Sequence, residues 1–211
     1  MEEPLMIIGG LFWSLTYILI IRRGLKDRTY GMPLAALCIN ISWEAVFSFI
    51  HPQLGHQLYI NYIWFALDVL IVLQFLKFGK SEFPALSNKQ FYTLFLLALV
   101  TGFGMVLSIT HEFNDWQGVY SAFVDDFMMS ILFIVMLFQR NDLRGQSIYI
   151  AIFKTLGTGL FSLAYYLYEP IAQGSILLPF LFISIFVYDL IYTGMIYQKY
   201  RELGIPLWKR F

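Results

Sequence analysis

Six ionisable side chains fall inside stretches of this sequence that are otherwise apolar: Glu44, Asp68, Asp125, Asp126, Lys154 and Asp189. A charged group at the centre of a membrane-spanning helix costs roughly 2.5–3.5 kcal/mol or more, so each is a candidate for function. Glu44 has the most informative setting, Asn40-Ile41-Ser42-Trp43-Glu44-Ala45-Val46-Phe47-Ser48-Phe49-Ile50-His51-Pro52. Helical spacing puts Asn40, Glu44 and Ser48 on one stripe, at i, i+4 and i+8. The stripe is polar and the rest of the segment is apolar or aromatic, so Glu44 faces a protein interior or a cavity. A carboxyl group taken out of water favours its neutral acid form. Such an acid can give a proton to a poor base.

The other five groups admit two readings each. Lys154 and Asp189 either pair to tie the sixth apolar segment to the seventh or take part in a site. Asp68, four residues after Trp64, either hydrogen-bonds a neighbouring helix or joins Glu44. Asp125-Asp126 is followed by Phe127, Met128 and Met129. Met129 therefore stands where a DDxxD metal-binding motif needs an aspartate, and no DxDD run occurs. The three histidines show no His-Glu-x-x-His spacing. No metal and no cofactor are expected. Asn40, Trp43, Trp64, Asp68, Asp125, Asp126 and Lys154 are the candidates for a substrate cavity or proton network. Aromatic residues make up 19% of the chain. Most should pack or face lipid, and those lining a cavity could stabilise a passing cation through their ring faces.

The elements that must position these groups follow from composition. The 211 residues are 59% hydrophobic and 13% charged, about half the charged share of a soluble domain. An integral membrane protein is the class that fits, with lipid as its surroundings. Net charge is zero, which gives no reason to expect nucleic acid. The single cysteine, Cys38, excludes a disulfide within the chain. Met1-Glu2-Glu3 is acidic where a signal peptide would be basic, so no cleavable signal is expected. No linker divides the sequence, and residues 1–211 read as one domain.

Seven segments are long enough to span about 30 Å of hydrocarbon at about 1.5 Å per residue: Pro4–Ile21, Met32–Ile50, Tyr59–Leu76, Phe91–Thr110, Val119–Phe138, Ser147–Tyr168 and Ile176–Gln198. Helices are expected throughout, since lipid cannot satisfy an open strand edge. Every Lys and Arg outside them falls in the first, third and fifth loops or after the last segment. The positive-inside rule makes that side cytoplasmic and puts the N-terminus outside. Counted from the helix ends, Glu44, Asp68 and Asp126 lie roughly 16–19 Å above the cytoplasmic boundary, with Asp189 and Lys154 near 10 Å.

Several stretches occur together in an order that carries a resemblance: Asn40–Pro52, the Trp64…Asp68 pair, the Gly118-to-Ser130 segment, Arg144-Gly145-Gln146-Ser147 and Lys154-Thr155-Leu156-Gly157-Thr158. The chain resembles the small integral-membrane terpene cyclases of fungal meroterpenoid and indole-diterpene pathways and their bacterial relatives. The resemblance covers most of the chain. It implies a seven-helix enzyme that cyclises the terpenoid tail of a prenylated or epoxyprenylated small molecule without metal or diphosphate. It also implies a prenyltransferase and a flavin monooxygenase as pathway partners, and a bacterial plasma membrane or an endoplasmic reticulum as the location. The family's two essential acids map onto Glu44 and Asp189. The Asp125-Asp126 pair departs from the family pattern. The alternative is a seven-helix small-molecule transporter of PQ-loop type, suggested by Pro52-Gln53. That dipeptide occurs once, and the two halves of the chain show no repeat.

Overall fold

The computed structural model describes residues 2–211, with the side chain of Glu2 excepted. Met1, part of the acidic start on which the signal-peptide expectation rests, lies outside them. The described residues are helical, with no strands. The elements are α1 (Glu2–Asp27), α2 (Leu34–Ala45), α3 (His56–Phe78), α4 (Asn88–Glu112), α5 (Val119–Arg140), α6 (Ile148–Tyr168), the single turn α7 (Pro170–Gln173) and α8 (Leu177–Glu202). The expected segments match the long helices, which run on by a few residues at several ends.

Among the described residues, six helices are long and apolar enough to cross a membrane: α1, α3, α4, α5, α6 and α8. The second expected span is shorter. It has twelve α-helical residues in α2 and a five-residue π-helical turn, Val46–Ile50. Together they rise about 25 Å at about 1.5 Å per residue, less than about 30 Å of hydrocarbon. In the π turn the His51 N–H donates to the Val46 carbonyl at 2.8 Å, five residues back rather than four. Ser48 is buried with its hydroxyl unpartnered, whereas Asn40 and Glu44 share a cavity wall. All three residues of the expected stripe are buried, and Asn40 and Glu44 reach the cavity.

Helix α2 packs against α3, α4 and α5, while α1 lies along α6 and α3, and α8 closes the bundle against α5 and α6. Compared with a water-soluble bundle the arrangement is partly inverted: polar groups share the interior with an apolar core, and much of the outside is apolar. Asn40, Glu44, Asp68, Asp125, Lys154 and Asp189 are all buried, while Leu96, Leu97, Val100, Phe180, Ile183 and Leu190 are exposed. Lipid makes that inversion favourable, because the apolar atoms keep an apolar solvent.

At the basic end, Asp27 accepts hydrogen bonds from Arg23 at 2.7 Å, Arg210 at 2.6 Å and the Gly145 N–H at 2.9 Å. Glu82 accepts from Thr29 at 2.8 Å and Arg144 at 3.0 Å. Arg140 stacks over the Tyr30 ring at 4.3 Å. This knot joins the end of α1, three connections and the C-terminal tail. The loops at the opposite end, residues 51–55, 113–118 and 169–176, contain no Lys or Arg.

Candidate active site

The half of the bundle away from the basic knot is hollow. A cavity of about 720 Å³, counting its open mouth, lies among α1, α2, α3, α5 and α6. Its wall is aromatic, with Trp13, Tyr17, Trp43, Trp64, Phe123 and Phe161. Its carboxyl groups are Glu44, Asp125 and Asp126. Trp13 reaches its place because Gly157 faces it. A Cβ on Gly157 would stand 2.7 Å from the Trp13 ring.

Glu44 is 1% exposed. Its Oε1 accepts a hydrogen bond from the Tyr17 hydroxyl at 2.9 Å. Its Oε2 is buried with no hydrogen-bond partner. The Asn40 amide nitrogen donates to the Tyr17 hydroxyl and to Asp68 Oδ2, both at 2.6 Å. Asp68 thus touches Glu44's network through Asn40 but does not line the cavity. Its hydrogen bond to a neighbouring helix is the simpler of the two readings its position allowed.

The neighbouring acids differ in company. Asp126 Oδ2 accepts from Thr158 at 3.0 Å, and Thr158 accepts from the Trp13 indole N–H at 3.1 Å. Asp125 is 3% exposed, and its Oδ1 is buried without a partner. Lys154 and Asp189 lie behind the wall. The Lys154 ammonium donates to Asp189 at 2.8 and 3.0 Å and to Ser130 at 2.7 Å, and stands 5.8 Å from the Trp13 ring centroid. The ion pair between the sixth segment and the last is therefore present, and neither member lines the cavity. Among the described residues, no three His, Cys, Asp or Glu side chains are grouped to hold a metal ion.

The mouth is polar without charge. Gln57 donates to Asn61 at 2.9 Å, Asn61 to Gln53 at 2.9 Å, and Gln53 to the Gln117 carbonyl. Below it, Trp43 donates its indole N–H to the Gly118 carbonyl at 3.0 Å. Gly118 has φ of 73°, and a Cβ there would meet the Phe47 ring at 2.6 Å, so this anchor needs glycine. The start of α5 is held by Asp115, which accepts from the Val119 N–H at 2.7 Å and from the Ser121 N–H and hydroxyl at 2.9 Å. Burial pushes the Asp115 carboxyl above its ordinary value, against the pull of these donors. His51, His111 and Trp116 form an aromatic cluster nearby, with centroids 5.1–6.0 Å apart.

Of the residues singled out by sequence, Asn40, Trp43, Glu44, Trp64, Asp125 and Asp126 converge on the cavity; Asp68, Lys154 and Asp189 do not. Sequence reasoning missed Tyr17, Trp13, Thr158 and the glutamine mouth. Trp13 and Tyr17 stand at i, i+4 in α1, a spacing that could have marked a shared face.

The family model for Pyr4-like transmembrane terpene cyclases matches residues 1–202. The chain belongs to this family. It is 32% identical over 151 residues to the Pyr4-family terpene cyclase mfmH of Annulohypoxylon moriforme, covering 69% of this chain and 62% of that protein. It is 30% identical over 159 residues to the terpene cyclase macJ of Penicillium terrestre, covering 72% and 61%. A further relative is the asnovolin H synthase nvfL of Aspergillus novofumigatus, 27% identical over 160 residues, covering 74% and 66%. The chain thus spans about three fifths of the length of the first two relatives. No solved structure matches it.

Proposed function

We propose that the protein is a metal-independent terpene cyclase, and that Glu44 starts the reaction by general acid catalysis. One observation carries this reading. Glu44 lines an aromatic cavity with one carboxyl oxygen held by Tyr17 and the other buried without a partner. The Oε2 proton passes to the epoxide oxygen or terminal alkene of a prenylated substrate. With an epoxide, the C–O bond breaks and leaves a carbocation. Each alkene attacks the next cation, and the cavity wall fixes the fold of the chain in which this happens. Trp and Phe ring faces stabilise the cations. Loss of a proton at the end balances the one given at the start, so substrate and product are isomers.

The acceptor of the terpenoid tail sits at the glutamine mouth, where its polar atoms find amide partners. Asp189 acts at a distance, by holding Lys154. The chain crosses the membrane seven times, α2 and its π turn making the short second crossing. The N-terminus is outside and the basic knot is cytoplasmic. The membrane is a bacterial plasma membrane or an endoplasmic reticulum. A prenyltransferase supplies the tail, and a flavin monooxygenase supplies the epoxide where one is used. The family match and the single Pro52-Gln53 both weigh against a PQ-loop transporter.

The test is conversion of epoxyprenylated and prenylated phenols by membranes containing the protein, with EDTA present and products identified by mass and NMR. We expect cyclised isomers from wild type and none from Glu44→Gln at equal accumulation. Normal turnover by Glu44→Gln would remove Glu44 from the mechanism. Turnover that requires added Mg²⁺ would mean that Asp125 and Asp126 had been misread.

A further inference from the structure

We infer that Tyr17 is a positioning residue that decides which oxygen of Glu44 carries the transferable proton. The inference rests on Glu44 being the acid, and it follows from counting donors. Asn40 Nδ2 can only donate. Its place is fixed by Asp68 Oδ2, 2.6 Å away, which accepts from it. The same nitrogen lies 2.6 Å from the Tyr17 hydroxyl and so donates to it. The Tyr17 oxygen is thereby an acceptor on that side, and its single hydrogen must go elsewhere. The acceptor within reach is Glu44 Oε1, at 2.9 Å.

The opposite polarity fails. If Glu44 donated from Oε1, the Tyr17 oxygen would accept twice and its own hydrogen would be orphaned. Tyr17 is 2% exposed, and buried donors are rarely left unpaired. The hydrogen-bond chain therefore runs one way, from Asn40 through Tyr17 to Oε1. With Oε1 acting as the carbonyl-type oxygen, the acid proton of Glu44 resides on Oε2. That is the oxygen without a protein partner. Glu44 lines the cavity, and its proton is thus left unspent on any internal bond. Tyr17 comes from α1 and Asn40 from α2, so the selection depends on how these two helices meet.

The test needs no substrate. The infrared difference between wild type and Glu44→Gln in membranes assigns the acid C=O band of Glu44. A hydrogen bond donated to the carbonyl oxygen weakens the C=O bond. Tyr17→Phe should therefore move the band to higher frequency. Replacing Tyr17 by 3,5-difluorotyrosine keeps the side chain's shape, strengthens the donor, and should move the band lower. This second variant serves if Tyr17→Phe fails to accumulate. A Glu44 band that neither change moves would overturn the role of Tyr17 while leaving Glu44 as the acid. The absence of any acid band from Glu44 in wild type would overturn both. With substrate present, loss of one neutral hydrogen bond should lower turnover of Tyr17→Phe about 2–10-fold.

Discussion

Removing the charge of Asp189 should damage the fold before it damages the chemistry. Lys154 is 0% exposed, and its ammonium has Asp189 and Ser130 as its hydrogen-bonding partners. Asp189→Asn keeps the shape but leaves a buried cation opposite a neutral amide. Breaking a buried pair from one side costs about 3–5 kcal/mol. For a chain of this size each kcal/mol lowers the melting temperature by roughly 2–4 °C, so a fall on the order of 10 °C is expected. Lys154→Met strands the carboxylate instead and should fall comparably. The double variant has no charge left to strand and should recover most of the loss, so the coupling in the cycle should exceed the cost of either single change, about 3–5 kcal/mol. The single cysteine, Cys38, is buried, so a thiol-reactive fluorophore reports unfolding in detergent directly. Product formed per folded protein is measured alongside. An Asp189→Asn protein that melts with wild type, makes no product and gains nothing from Lys154→Met would refute the reasoning. It would give Asp189 a chemical role.

Other expectations follow from single contacts. Gly118→Ala forces a Cβ against Phe47 in a left-handed conformation; it should destabilise by about 1–3 kcal/mol and alter the product mixture through Trp43, read by melting and by NMR. Asp115→Ala removes the acceptor at the start of α5 and should cost about 1 kcal/mol by the same melting assay. The raised Asp115 value means the folded state holds this proton more tightly than the unfolded chain. Its contribution is present at low pH and fades as pH rises through the folded value, so wild type should lose stability relative to Asp115→Asn in that direction. A reporter after Phe211 should lie in the cytoplasm and one near Gly55 outside; finding both on one side would sink the seven-crossing topology.

What could be read in the sequence was whatever depends on position along a helix. The long segments, the one-sided Lys and Arg, and the matched depths of Lys154 and Asp189 are one-dimensional properties, and hydropathy and counting recover them. Azimuth is different. Asp68 and Asp126 were expected at similar heights, yet only Asp126 reaches the cavity, because depth does not say which way a side chain points. Tyr17 is one of 14 tyrosines, and its spacing to Trp13 marks a shared face without saying whether that face meets a cavity or lipid. The π turn was hidden for a related reason. Bonding five residues back leaves no mark on a periodicity read in steps of 3.6.

The division of the molecule into a hollow half and a knotted half bears on how such a protein can diversify. The contacts that fasten α1 to the connections and the tail involve Asp27, Glu82, Arg140, Arg144 and Arg210. None of them lines the cavity. Ala122, Phe123, Phe161 and Tyr165 line it and take no part in the knot. Substitutions that reshape the cavity wall are therefore separated from those that hold the helices together. Mutations at distant, unconnected sites add nearly independently. A lineage built this way can vary the shape of its cavity one wall residue at a time, while its margin of stability is kept at the other end of the bundle.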